Sequence, residues 1–386
     1  MFGSRRRIGP STGILTVLAL CQWTVKYKID PGTDTTTEPR IRRGNVLAAV
    51  LAGSWRHCDA ISSVTDRELS EIAPLLLKSG GAALGWWKIR NSDSRDSPAA
   101  RQLHQAYRHH ALRAAVQERE IKQIIAFLRF AGLEPLLGKG WAIARLYPKH
   151  GLRPYGDIDL YVRAEEYRAV DEALMSPDAP GGSVDLHKGA QELDDRSVDD
   201  LYDRSQLVSL GEVPVRILGP EDHLRLLCLH ALRHGAWRPL WLCDIALAIE
   251  SRNDNFDWDY FLSGDKRRSD WVACAIGLAR QLLGVRVDDT PVAERAESLP
   301  HWFIPTVLRQ WGQGQTPHGC RAAMENYLRH PAGILEALRV RWPNAIEATI
   351  GVRGPFNELP RLPFQIGDAI LRTAKFLAQA PSSQRQ

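Results

Sequence analysis

The sequence predicts a mixed α+β / α/β chain in which a small mixed-sheet core lies between an N-terminal and a C-terminal helical region. Three observations predict it. Apolar residues recur at helical spacing through residues 44–130 and again from 220 to about 350, the signature of amphipathic helices. Between them, residues 131–219 hold short runs that alternate polar and apolar side chains, interrupted by glycine, as strands do. The 386 residues carry 44% hydrophobic and 25% charged side chains, which excludes disordered, collagenous and coiled-coil chains and fits two or three folding units.

Residues 1–43 read as a disordered leader. They hold eight basic and three acidic side chains, leaving the body with 42 of each. The excess of +5 therefore belongs to the leader, and a neutral body gives no global attraction to nucleic acid. Arg5–Arg7 followed by the apolar run 13–23 imitates a secretion signal, but no small-x-small cleavage site follows. The run is also too short for a membrane span. Residues 33–39 read as linker, and the leader is expected to be dispensable for the fold. Six cysteines without a CxxC pair read as reduced thiols in the cytoplasm.

Leu47, Val50, Leu51 and Trp55 form one helical stripe, and Leu69, Ile72, Leu75 and Leu76 another. Pro74 inside the second predicts a kink or restart. Residues 99–130 predict one long helix ended by Gly132, burying Leu112, Val116, Ile121, Ile124, Ile125 and Leu128. In the core, 153–162 is a turn feeding a strand, 164–175 an amphipathic helix, and 181–187 and 213–218 two further strands. Pro220 opens the second helical region, expected on the acceptor side of the cleft. Residues 351–386 read as a proline-marked linker (Pro355, Pro360, Pro363), a helix over 364–379 and a disordered tail.

The strand over 157–162 carries the chemistry. Side chains two apart share a face, so Asp157, Asp159 and Tyr161 lie on one side and Ile158, Leu160 and Val162 on the other. The next strand repeats the pattern, with Ser183, Asp185 and His187 outward and Val184 and Leu186 inward. Beside the first strand, Asp185 completes a cluster of three carboxylates suited to a divalent cation such as Mg²⁺. Without a cation the carboxylates repel, so Asp159→Asn is expected to leave the fold as stable or slightly more so. Upstream, Gly138-Lys139-Gly140 offers a turn whose backbone can approach phosphate with lysine as a point charge, and Arg145 and Arg153 lie between turn and carboxylates. His230 and His234 share a helical face, but without His-Glu-x-x-His a zinc hydrolase is set aside; packing is the main expectation for them and for Trp237 and Trp241.

In this order the motifs resemble the polymerase-β-like nucleotidyltransferase superfamily, and within it the bacterial family of uncharacterised nucleotidyltransferases. The likeness rests on Lys139-Gly140, on Arg153 through Val162 (Arg-Pro-Tyr-Gly-Asp-Ile-Asp-Leu-Tyr-Val) and on Val184-Asp-Leu-His187. It continues through residues 218–224, 228–234, 241–245 and 256–259, and covers roughly 44–330. Two positions depart from the pattern. Gly138 stands where the family has a bulkier apolar residue, and Trp141 where it has a small one. The resemblance implies transfer of a nucleoside monophosphate from an NTP such as ATP to an acceptor hydroxyl by two Mg²⁺ or Mn²⁺ ions, with release of pyrophosphate. By position, Asp157 and Asp159 would hold the cations and Asp185 would complete the site. Gly138, Lys139, Gly140, Arg145 and Arg153 would meet the triphosphate, while His187, His230 and Trp241 would line the acceptor side of the same cavity. A small-molecule acceptor is favoured over nucleic acid. The alternatives are a catalytically silent nucleotide- or ligand-binding protein on this scaffold, and a toxin-like transferase acting on RNA or protein.

Overall fold

A computed structural model describes residues 5–8, 37–56, 64–314 and 341–379. The N-terminal helices are α1 (Thr37–Leu51), α2 (Asp66–Ser79), α3 (Ala82–Ile89) and α4 (Pro98–Phe130). The core follows as β2 (Leu136–Gly138), α5 (Gly140–Ala144), β3 (Ile158–Val162), α6 (Tyr167–Leu174), β4 (Gly182–Lys188), α7 (Val198–Asp203), β5 (Gln206–Leu210) and β6 (Val213–Ile217), with β1 (Arg5–Ile8) added far upstream. The C-terminal helices are α8 (Pro220–Arg233), α9 (Pro239–Glu250), α10 (Trp258–Leu262), α11 (Lys266–Leu283), α12 (Ala293–Glu297), α13 (Phe303–Gln313), α14 (Ala345–Gly351) and α15 (Leu362–Gln379). Among the described residues no helix is long and apolar enough to cross a membrane.

Local chemistry explains the helix boundaries. Thr65 and Glu68 form a reciprocal capping box at the start of α2, and Gly80 ends it at φ +79°, where a side chain would be strained. Ser97 caps α4 with Pro98 in its first turn, and Pro220 and Pro239 open α8 and α9, positions where the missing N–H costs no hydrogen bond. The expected break at Pro74 does not occur: α2 runs unbroken through it. Pro74 is exposed, so water can serve the carbonyl its missing donor leaves open. Pro363, read as linker, lies in the first turn of α15.

The sheet order is β1-β4-β3-β2-β6-β5. β3 and β4 are parallel, as are β2 and β6; the other pairings are antiparallel. Within residues 131–219 two strands escape the sequence pattern: β2, only three residues long, and β5, which a tight turn at Gly211 (φ +61°) joins to β6.

Two cores hold the chain. The smaller packs Ile121, Ile124, Ile125 and Leu128 of α4 onto the Ile158–Leu160–Val162 face of β3 and onto Val184, Leu186 and Val215. The larger joins the two helical regions into one body, with Leu47, Leu51, Leu69 and Leu84 in the same cluster as Leu226, Ile245, Val272 and Trp311. Here α1 lies so close to α13 that a Cβ on Gly44 would stand 2.3 Å from the Leu308 carbonyl oxygen, and one on Gly312 1.8 Å from that of Arg40. Only glycine permits that approach.

Two further expectations are corrected. Residues 1–43 are not a separate leader throughout: α1 begins at Thr37, and Arg5–Ile8 pairs antiparallel with β4 along its otherwise open edge. Extended backbone of any composition can serve such an edge, so composition gave no hint. The 13–23 run and most of the 33–39 linker lie outside the described residues. The second correction concerns α4, where Leu112 and Val116 are 71% and 51% exposed. A 33-residue helix is roughly 50 Å long, and its middle buries Ala114 and Gln117 instead. Gln117 Nε2 donates to the Tyr155 carbonyl at 2.8 Å.

Candidate active site

β3 is buried on both faces. Its polar face looks toward α8: a Cβ on Gly138 would stand 2.6 Å from the Tyr161 ring and 3.5 Å from Leu226. This accounts for glycine at that position, because Tyr161 fills the space a larger residue would need. Trp141 is buried in the smaller core, so the second departure from the family pattern is absorbed by packing.

The register sets Asp159 beside Asp185 and Tyr161 beside His187 on the parallel strands β3 and β4. Asp159 and Asp185 are 6% and 9% exposed. His187 Nε2 stands 3.2 Å from Asp159 Oδ1 and 3.4 Å from Asp185 Oδ2, and its ring stacks on Tyr161 with centroids 4.5 Å apart. Asp159, Asp185 and His187 can each turn a ligand atom to a common point, all within 4.8 Å of one another. Asp185 Oδ1 is buried without a hydrogen-bond partner, and a buried carboxylate oxygen left so is costly. Two carboxylates, one with an orphaned oxygen, and an imidazole fit a divalent cation.

Repulsion between the carboxylates is answered from within the chain. Lys139 Nζ lies 2.7 Å from Asp159 Oδ1. Burial alone would raise the Asp159 pKa, but Lys139 and the hydrogen bond from His187 outweigh it and bring it down to about 2. Burial likewise disfavours the Lys139 ammonium, yet Tyr161, Asp159 and Glu192 hold its pKa well above the ordinary lysine value. Lys139 adopts φ +43° and ψ −128°, a costly conformation for a residue with a side chain, in the turn between β2 and α5. The expected electrostatic strain is therefore corrected: the acidic pair already has a cation.

The remaining predicted residues fall into three groups. Gly140 lies against the carboxylates, since a Cβ there would stand 3.4 Å from the Asp157 carbonyl oxygen and 3.8 Å from Asp159 Oδ2. Asp157, half-buried and one residue before β3, is outside the three-ligand group, and its charge acts on Arg238. Arg153 is buried and committed to Asp244 of α9, with Nη2 to Oδ2 at 2.9 Å, while the Tyr147 hydroxyl donates to the same carboxylate at 2.9 Å. Arg145 is exposed and lines a cleft of about 250 Å³ with Trp141, Tyr147, Arg153, Tyr155 and Ser209. Tyr155 also stands against Gly140, its Cβ 3.8 Å from the would-be Cβ there, but Asp157, Asp159, Asp185 and His187 do not line the cleft.

His230 and Trp241 do not line that cleft. They pack edge to face with centroids 4.9 Å apart, and His234 lies 4.6 Å from His230. His230 reaches the site through Glu192, which stands 3.7 Å from its Nδ1. Burial would raise the Glu192 carboxyl, but His230, Lys139 and Arg233 hold it well below the usual range. His230 itself is lowered by burial and by Lys139, with Glu192 opposing. His223 is buried on the same α8, held down to about 3 by burial and by Arg145 and Arg153, and therefore neutral.

Sequence reasoning missed Glu192 and Arg238. Glu192 sits in a short turn after β4, pinned because Arg268 donates to its carbonyl at 3.0 Å and to Asp195 at 3.1 Å. Arg238 precedes α9 and donates to the Ser79 carbonyl at 2.8 Å; burial and Arg153 bring its pKa down to about 10. Neither has a local pattern, because each acquires its neighbours only through tertiary contact.

A family model described as an uncharacterised nucleotidyltransferase matches residues 79–179 and 179–284. No curated protein and no solved structure matches the chain. The matched stretches run from the end of α2 to the end of α11 and include β2 through β6, the Lys139 turn, Asp157, Asp159, Asp185 and Asp244. With more than half of its 386 residues matched, the chain belongs to the uncharacterised nucleotidyltransferase family.

Proposed function

We propose that the protein transfers a nucleoside monophosphate from a nucleoside triphosphate to an acceptor hydroxyl and releases pyrophosphate. The observation that carries this reading is the pair Asp159 and Asp185, adjacent on parallel strands with His187 between them and one carboxylate oxygen without a partner. Asp159, Asp185 and His187 would hold a divalent cation, Mg²⁺ or Mn²⁺, and Asp157, one residue before β3, would offer a further carboxylate. When bound, such a cation neutralises charge on the transferring phosphoryl group and favours the ionised acceptor hydroxyl.

The chain's own residues then divide the remaining work. Lys139 is the point charge closest to the carboxylates and suits the β- and γ-phosphates. Arg145, at the rim of the cleft, suits the outer end of the triphosphate or the nucleoside. Arg153 acts as a positioning residue: its pair with Asp244 ties the 145–157 segment to α9. Glu192, next to Lys139, marks the side we assign to the acceptor, with His230 and Trp241 packed behind it. The neutral body supports a small-molecule acceptor over nucleic acid.

Transfer of label from α-³²P nucleoside triphosphates into small-molecule and macromolecular fractions, with Mg²⁺ or Mn²⁺, tests the reading. Incorporation that Asp185→Asn abolishes supports it. Absence of any metal-dependent nucleotide binding across the four bases defeats it, while binding without turnover favours the silent scaffold.

A further inference from the structure

Asp159 and Asp185 are chemically alike but differently placed. Asp185 Oδ1 has no partner. Asp159 Oδ1 has two, Lys139 Nζ at 2.7 Å and His187 Nε2 at 3.2 Å. A cation held by all three ligands needs an oxygen of Asp159 at roughly 2.0–2.6 Å, next to an oxygen that already carries an ammonium. Two positive centres on one buried carboxylate repel strongly, because little water is present to screen them. While Lys139 stays, an entering cation finds only Asp185 unopposed, a thin donor set for a hard ion, since His187 Nε2 must first give up its hydrogen bond to Asp159.

The fold both holds Lys139 there and gives it somewhere to go. The positive-φ turn between Gly138 and Gly140 directs it to Asp159, and the Tyr161 ring flanks its ammonium at 5.8 Å. Glu192 is a second acidic neighbour, already shared with His230 and Arg233 at 3.7 Å each. A phosphate chain beside the turn would add a third attraction on the side of Gly140, which has no side chain of its own.

We propose that the Lys139 ammonium is a tethered counter-cation that occupies the carboxylate site until nucleotide phosphates draw it away, so that cation and nucleotide bind with positive coupling. The inference rests on the nucleotidyl-transfer reading and adds an order to it: neither ligand binds well alone, and each strengthens the other by the same factor. The device also offsets the charge of Asp159 in the free protein and so eases its repulsion with Asp185.

Removal of the tethered charge should open the site to a cation without nucleotide. Mn²⁺ alone is the probe, titrated into the full chain and followed by the electron paramagnetic resonance signal of the free ion. Lys139→Met is expected to bind Mn²⁺ roughly tenfold or more tightly than wild type. Lys139→Arg, which keeps a cation at that position, is expected to bind as weakly as wild type, and Lys139→Met combined with Asp185→Asn to lose the gain. If Lys139→Met unfolds, Lys139→Gln keeps a hydrogen-bond donor to Asp159 without the charge. Equal Mn²⁺ affinity in wild type and the uncharged variants overturns the proposal and leaves nucleotidyl transfer standing. No Mn²⁺ bound by any variant overturns it together with the cation site. A gain in Mn²⁺ affinity with no metal-dependent nucleotide binding by wild type upholds the counter-cation, but overturns its displacement by phosphates and defeats nucleotidyl transfer.

Discussion

Lys139 and Asp159 form a buried ion pair, Nζ to Oδ1 at 2.7 Å, across the antiparallel strands β2 and β3. Gly138 is the register partner of Asp159, so the lysine one position on reaches back over its own turn to the carboxylate. The pair offsets the charge of Asp159 and eases its repulsion with Asp185.

This reverses the expected effect of Asp159→Asn on stability. The substitution removes a charge that compensates Lys139 and leaves a buried ammonium unpaired, which costs about 3–5 kcal/mol. Chemical denaturation of wild type and Asp159→Asn should show that loss. A variant as stable as wild type, as strand alternation alone predicts, would contradict the ion pair.

The pH dependence has a definite sign. Asp159 is depressed to about 2 in the folded chain from an ordinary value of 3.8. A depressed carboxylate contributes stability that is present above its unfolded pKa and lost as pH falls through the folded one, here between about pH 4 and 2. The contribution is about 2 kcal/mol. Melting temperature followed down to pH 2 should therefore fall less steeply for Asp159→Asn than for wild type, and parallel curves would contradict the assignment.

Arg153 and Asp244 join the sheet core to the second helical region through a wholly buried pair. Asp244→Asn should cost about 3–5 kcal/mol because it leaves the guanidinium unpaired. Arg153→Met should cost a similar amount, and the double variant less than the sum of the two. Additive losses in a double-mutant cycle would mean that the two groups do not act as a pair.

The amino-terminal segment is not dispensable in this structure. Deletion of residues 1–43 removes the first part of α1 with Arg40, whose carbonyl lies against Gly312, and strips β1 from β4. It should lower the melting temperature by several degrees, by roughly 4 °C or less per kcal/mol lost in a chain this long. Gly312→Ala should do likewise, since its Cβ would stand 1.8 Å from the Arg40 carbonyl oxygen. An unchanged melting temperature in both would contradict the α1–α13 contact.

Much of this site was legible before the fold was seen. Alternation placed Asp159 and Asp185 on outward faces, and the parallel register brings them side by side. The long helix, the opening proline of α8 and the helical C-terminal region follow from periodicity and caps that act over a few residues. What escaped detection depends on distance in the chain. Arg153 read as a phosphate ligand because its partner Asp244 lies 91 positions away. Glu192 had no pattern at all, and the β1 edge strand uses backbone that any sequence can supply. Leu112 and Val116 misled because helical periodicity names a stripe without saying which part of a long helix meets a neighbour.

The claim that Asp159, Asp185 and His187 form a cation site serving a nucleotide is tested most directly by thermal melting with each of the four nucleoside triphosphates, with and without Mg²⁺ or Mn²⁺. Wild type should show an upward shift that requires cation and nucleotide together, and Asp185→Asn should lose it. A shift that persists in Asp185→Asn, or no shift with any nucleotide and either cation, would contradict the claim.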